Sequence, residues 1–156
     1  MIQIVVRLLV LCAAALMISC GEKNAPPPPP DPAIEDVRAF LTKYFQVWSE
    51  KRIDAYQDLF EKGAVVHFVD ESGRVVAWPL PPFIESQRQA HAAAVAPMVE
   101  TAERMEIHIS PDSRAAQAAV KWKLVEGDKV TIGWDHFTLL RRDNRWFILN
   151  LVFYKE

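Results

Sequence analysis

Asp135 is the first side chain in this chain that joins chemistry to a sheltered setting. It sits in VTIGWDHFTLL, which RRDN separates from the closing run RWFILNLVFYKE. The two apolar runs read as strands joined by a tight turn at Asp143-Asn144, and the strand before them ends at Gly127-Asp128. Two-residue turns fix register. That register gathers Val120, Trp122, Leu124, Asp135, Phe137, Leu139, Trp146, Ile148, Asn150, Val152 and Tyr154 on one face. The face has no lysine and a single carboxylate. A carboxylate among apolar neighbours holds its proton toward neutral pH, which suits proton donation or the gripping of a polar ligand edge. Trp122, Phe137, Asn150 and Tyr154 would complete a pocket around Asp135, although strand aromatics serve equally well as plain core. The opposite face carries Lys121 and Lys123 but also Trp134, Phe147, Leu149, Leu151 and Phe153. It is too apolar to lie in water, so a sheet-to-sheet homodimer is expected to cover it. A slip of one residue in either turn would exchange the two faces.

Other chemistries find little support. His67 lies on a short strand, and His91 and His108 have no partners at metal-ligand spacing, so no metal is expected. There is no nucleophile elbow, phosphate loop or dinucleotide fingerprint, and no cofactor is expected. Both cysteines, Cys12 and Cys20, fall in or at the end of an apolar leader, which leaves the folded part without a thiol. A net charge of -2 gives no basic surplus, so nucleic acid is not an expected partner.

The elements that must position Asp135 begin at Ala33. Asp31 and Pro32 start a helix to Glu50, with Ile34, Val37, Phe40, Leu41, Tyr44, Phe45, Val47 and Trp48 mostly at helical spacing. A second helix is expected from Ile53 to Lys62. Val65 to Val69 and Val75 to Trp78 read as a hairpin about Glu71-Ser72-Gly73. A third helix runs from Phe83 to Ala96, before strands at Met105 to Ser110 and Gln117 to Glu126. The expected fold is α+β, a cone whose curved antiparallel sheet carries three helices on its concave face.

Residues 1–19 hold one charge, Arg7, and a short apolar run from Leu8 to Ile18. This has signal-peptide length and cannot span a bilayer. The ending Met17-Ile18-Ser19-Cys20 resembles the bacterial lipobox, with Met17 where leucine is usual. The resemblance implies cleavage before Cys20 and lipidation of Cys20. An ordinary secretory signal is the competing reading. Six of the 11 prolines fall in positions 26–32, which makes residues 20–32 an extended spacer. The domain proper is 33–156. Gly21 after Cys20 resembles lipoproteins sent to the outer membrane of a two-membrane cell, facing the periplasm.

AIEDVRAFLTKYFQVWSEKRIDAYQDLFEKGAVVHF resembles the opening of nuclear-transport-factor-2-like domains, and TLLRRDNRWFILNLVFY resembles their close. That group includes SnoaL-like cyclases, ketosteroid isomerases and scytalone dehydratases, with a cystatin-like cone. The resemblance implies a pocket residue at Tyr44, on the first helix, where isomerases keep an oxyanion donor. Their strand base aligns near Phe68, so isomerase chemistry is not implied. Dehydratase-like chemistry would want a His–Asp pair, for which His67 and Asp135 are the candidates. The expectation is a non-catalytic, membrane-tethered envelope protein that binds a small apolar ligand or a protein partner. A lyase or isomerase using Tyr44, His67 and Asp135 is the alternative, and a structural dimerisation domain is the third.

Overall fold

The computed structural model describes residues 31–156, so the expected signal peptide, Cys20 and most of the spacer lie outside the described residues. Helix α1 spans Pro32–Ser49. The Asp31 carboxylate accepts from the Ala33 N–H at 2.9 Å, and Pro32 occupies the first turn, where a missing N–H costs nothing. Its buried residues Val37, Leu41, Tyr44, Phe45, Val47 and Trp48 recur at helical spacing and define one stripe. Lys51, in the left-handed region at φ 58°, ends the helix. Helix α2 is a single turn, Ile53–Gln57, shorter than expected. The chain straightens at once, so that strand β1 already starts at Phe60 and runs to Val69. Strand β2 is Val75–Pro79, and helix α3 is Leu80–Ala93, with its prolines in the first turn.

The remaining strands are β3 (Met98–Ile109), β4 (Ala115–Glu126), β5 (Lys129–Arg142) and β6 (Arg145–Lys155). They form an antiparallel meander. β6 then pairs in parallel with β1, giving one curved, six-stranded sheet in the order β2-β1-β6-β5-β4-β3. The two expected turns are present: Asp143 and Asn144 take φ 51° and 58°, and Gly127 takes φ 57°. The α+β cone is therefore as expected, with one parallel pair within it.

Register departs from the expectation inside β6. Thr138 faces Asn150 but Leu139 faces Ile148, so Leu149 is an extra residue, a β-bulge. Side-chain parity reverses beyond it. Leu151 and Phe153 turn to the concave face, where Leu151 is buried and Phe153 packs on the core. Asn150, Val152 and Tyr154 turn to the outer face. A second bulge lies in β3, where Ala102 faces Trp122 but Arg104 faces Lys121, leaving Glu103 unpaired. It reverses β3 in the same way and turns Glu100 inward.

The core fills the space between α1, α3 and the concave face. Tyr44, Tyr56, Phe60, Phe83 and Phe137 interlock there, with Tyr44 edge-on to Phe137 at 5.1 Å.

Candidate functional site

A cavity of about 130 Å³ opens between the helices and the concave face. α1 contributes Tyr44 and Trp48, α2 contributes Tyr56, and α3 contributes Phe83 and Gln87. The sheet contributes Glu100 (β3), Trp122 and Leu124 (β4), Asp135 (β5), and Leu151, Phe153 and Lys155 (β6). The volume is close to the roughly 150 Å³ that admits one benzene-sized ring, and well under the roughly 300–1,000 Å³ of drug-sized pockets.

Asp135 is only 4% exposed. Burial pushes its carboxyl up to about 7, against the opposing pull of hydrogen bonding by Trp122 and Tyr44, which favours the charged form. Among the described residues Trp122 Nε1 is buried without a partner in full hydrogen-bond geometry, so its N–H is available to Asp135 or to a ligand. Tyr56 donates to the Tyr44 hydroxyl at 2.8 Å, which leaves the Tyr44 proton free for another acceptor such as Asp135. Burial raises both phenols well above their ordinary range. Glu100 is the second carboxyl of the cavity. Burial first, and the charge of Asp135 second, raise it well above the carboxylate range. Its strand is pinned to the end of α1: Ser49 Oγ accepts from Glu100 N at 2.8 Å and donates to Glu100 O at 3.2 Å.

Glycine at 133 makes room for the Trp122 ring. A Cβ there would lie 2.2 Å from Trp122 Cζ2 and 2.2 Å from the Tyr154 carbonyl oxygen. Trp48 closes the other wall, its indole donating to Gln87 Oε1 at 2.9 Å. Behind Trp48, His91 packs ring to ring at 4.5 Å, and burial lowers its pKa.

Of the expected pocket residues, Tyr44, Trp122 and Asp135 meet in this cavity. Phe137 lies on the same face but deeper, as core against Tyr44. Asn150 and Tyr154 are corrections: the Leu149 bulge sends both to the outer face, where Asn150 faces Thr138 and the Tyr154 hydroxyl lies 3.3 Å from His136 Nε2. His67 is also outside. It faces Val152 across β6, while its neighbours Val66 and Phe68 face Leu151 and Phe153 inside. His67 and Asp135 therefore lie on opposite sides of the sheet and form no dyad. Leu151 and Phe153 leave the expected dimer patch for the interior. Glu100, Tyr56 and Trp48 are cavity residues that the sequence reading missed.

The family model described as "putative lumazine-binding" matches residues 32–154. The chain matches none of the curated proteins. Among solved structures it is similar to an NTF-2-like protein of unknown function from Shewanella oneidensis, with a TM-score of 0.61 at 14% identity, covering 78% of this chain and 98% of that one. It is similar to a putative calcium/calmodulin-dependent protein kinase II association domain from Xanthomonas campestris, with a TM-score of 0.65 at 14% identity, covering 89% and 97%. It is also similar to a putative scytalone dehydratase from Novosphingobium aromaticivorans, with a TM-score of 0.64 at 8% identity, covering 79% and 83%. At such identities the likeness establishes the fold, a nuclear-transport-factor-2-like domain.

Proposed function

Because the chain belongs to the family described as putative lumazine-binding, we propose that its domain is a binding module for one flat, ring-sized ligand. The observation that carries this is the convergence of two carboxyls and the Trp122 N–H on an aromatic-walled cavity of about 130 Å³. Asp135, Glu100 and the Trp122 N–H all line this space, and water or a ligand there can meet the hydrogen-bonding capacity that the protein leaves over. The ring would lie among Tyr44, Trp48, Trp122 and Phe83, its polar edge on the carboxyls. A pteridine-dione of the lumazine type has such an edge and fits the family's description. Its second ring would project past Lys155 at the mouth.

The catalytic alternative loses support with His67, which is outside the cavity. The proposal keeps the tether: Cys20 carries lipid, the proline-rich spacer holds the domain off the membrane, and the cavity faces the periplasm. Mass spectrometry of the mature N-terminus would detect an acylated Cys20. An unmodified Cys20 would defeat the tether and leave the cavity reading untouched.

Thermal shift tests the cavity. A ligand at about 100 times its Kd adds roughly 2.7 kcal/mol to stability, which is several degrees for a domain of this size. Lumazine should raise Tm, and Trp122→Phe, which keeps the ring contact but removes the N–H, should reduce the gain. No shift with any ring ligand would overturn the reading.

A further inference from the structure

We propose that the ligand is an aromatic α-amino acid: its ring fills the cavity, its carboxylate meets Lys155 at the mouth, and its ammonium meets Asp70 just outside. The inference rests on the reading of the cavity as a ring site and adds what lies beyond it. The mouth adjoins a cleft of about 370 Å³ at the β1–β2 turn, lined by Phe68, Val69, Asp70, Glu71, Ser72 and Lys155. Lys155 lines both spaces and joins them. Strand register gives the spacing. Asp135 faces Phe153 across β5 and β6, and Gly133 faces Lys155. Lys155 is therefore the diagonal neighbour of Asp135 on the concave face, where such positions lie roughly 7–8 Å apart. A single six-membered ring with a short side chain covers that step. On β1, Phe68 faces Phe153, their rings 5.1 Å apart, and Val69 faces Tyr154. The next pair outward sets Asp70 beside Lys155.

The charges at the mouth are available to a ligand. Lys155 is exposed and makes no ion pair among the described residues. Asp70 Oδ1 accepts from the Ser72 N–H, the Ser72 hydroxyl and the Arg74 N–H at 2.9, 2.6 and 3.0 Å. Those bonds fix the carboxylate in the turn and leave its other oxygen for a ligand. The Ser72 hydroxyl first, with the backbone N–H groups, holds it below the usual carboxylate range, so it stays charged. Glu71 is a second acceptor on the rim. A lone anion here would face Asp70 and Glu71, and a lone cation would face Lys155. A head that carries both charges on one carbon meets each with its opposite. At the buried end a phenol hydroxyl, donor and acceptor at once, can meet Asp135 and the Trp122 N–H. L-tyrosine is therefore the probe.

Isothermal titration at neutral pH with L-tyrosine, tyramine, 3-(4-hydroxyphenyl)propionate and p-cresol separates the contributions. All four share the ring and its hydroxyl. Tyramine lacks the carboxylate, the propionate lacks the ammonium, and p-cresol lacks both. L-tyrosine should bind about threefold more tightly than either single-charge analogue and about tenfold more tightly than p-cresol, the range expected of exposed ion pairs. Lys155→Met, which keeps the apolar stem, should cancel the lead over tyramine. Asp70→Asn, which still accepts from Ser72 and Arg74, should reduce the lead over the propionate. L-tyrosine binding no more tightly than p-cresol, or keeping its lead over tyramine in Lys155→Met, would overturn the assignment of the head. Binding by lumazine and by none of the four phenols would also overturn it, and in each of these cases a ring site stays in place. Absence of binding by lumazine and all four phenols would instead remove the ring site itself, and this inference with it.

Discussion

Asp135 is held in the folded chain at a cost, and its sign can be measured. An aspartate titrates at 3.8 when unperturbed and at about 7 in this cavity. Below the lower value both folded and unfolded chains keep the proton, and the group is neutral to stability. As pH rises toward 7 the unfolded chain gives up its proton while the folded chain retains it, so stability falls across that window and then levels off. Glu100, raised by the same burial, acts in the same direction. The exposed carboxylates whose pKa is lowered, Asp70 and Asp112 among them, titrate below this window, while His91, whose pKa burial lowers, works the other way inside it as a single group against two raised carboxyls. Wild type should therefore be more thermostable at pH 5 than at pH 8. Asp135→Asn, which still accepts from Tyr44 and Trp122, should narrow that difference and stabilise the protein at pH 8 by up to a few kcal/mol. Melting curves at the two pH values check this. A variant less stable than wild type at pH 8 would show that the charge is compensated rather than costly.

At the scale of elements, the two bulges decide what lines the cavity. Helix α1, the two hairpin turns and the meander were legible because capping residues, helical periodicity and Asp143-Asn144 each have a local physical cause. The site was legible only where parity ran unbroken from a turn, as it does for Trp122 and Asp135. Beyond Leu149 parity reverses, and Asn150 and Tyr154 exchange faces with Leu151 and Phe153. The run Phe147-Ile148-Leu149-Asn150-Leu151 held the signal: apolar residues at both parities cannot all face one side. Glu100 was hidden in the same way, because parity carried back from Ile109, Ile107 and Met105 points it outward unless Glu103 is skipped. The bulge at Leu149 thus acts through its backbone, and its own side chain matters little. Leu149 is 43% exposed, so Leu149→Ala should change stability by less than about 1 kcal/mol in denaturant titration. Deleting Leu149 would join Ile148 directly to Asn150 and make alternation regular, with Asn150, Val152 and Tyr154 still on the outer face and Leu151 and Phe153 still inside. That variant should fold, with a loss of no more than about 3 kcal/mol in denaturant titration, and one that is insoluble or unfolded would refute this account of the sheet.

For the whole molecule, the bulge redraws the outer face without making it polar. Leu151 and Phe153 leave it, but Val152 and Tyr154 join Trp134, Phe147, Leu149 and the exposed Val65 on adjoining strands. Its charges are largely paired within the face: Lys121 with Glu156 at 3.0 Å, and Arg104 with Glu106. A surface that neutralises its own charges and keeps an apolar centre can meet a second copy of itself about a two-fold axis without like-charge conflict. Stable interfaces need about 800 Å² from each partner, an area that a six-stranded face can supply. We therefore propose a homodimer that packs sheet to sheet. Val152 is the sharpest probe, because it lies between His67 and His136 in one row across β1, β6 and β5 and points away from the cavity. Light scattering of the unlipidated protein should give twice the monomer mass. Val152→Glu, which sets two carboxylates against each other across the axis, should give a folded monomer that still binds the ring ligand. A wild type that is monomeric at every concentration would refute the dimer, and so would a Val152→Glu variant that stays dimeric.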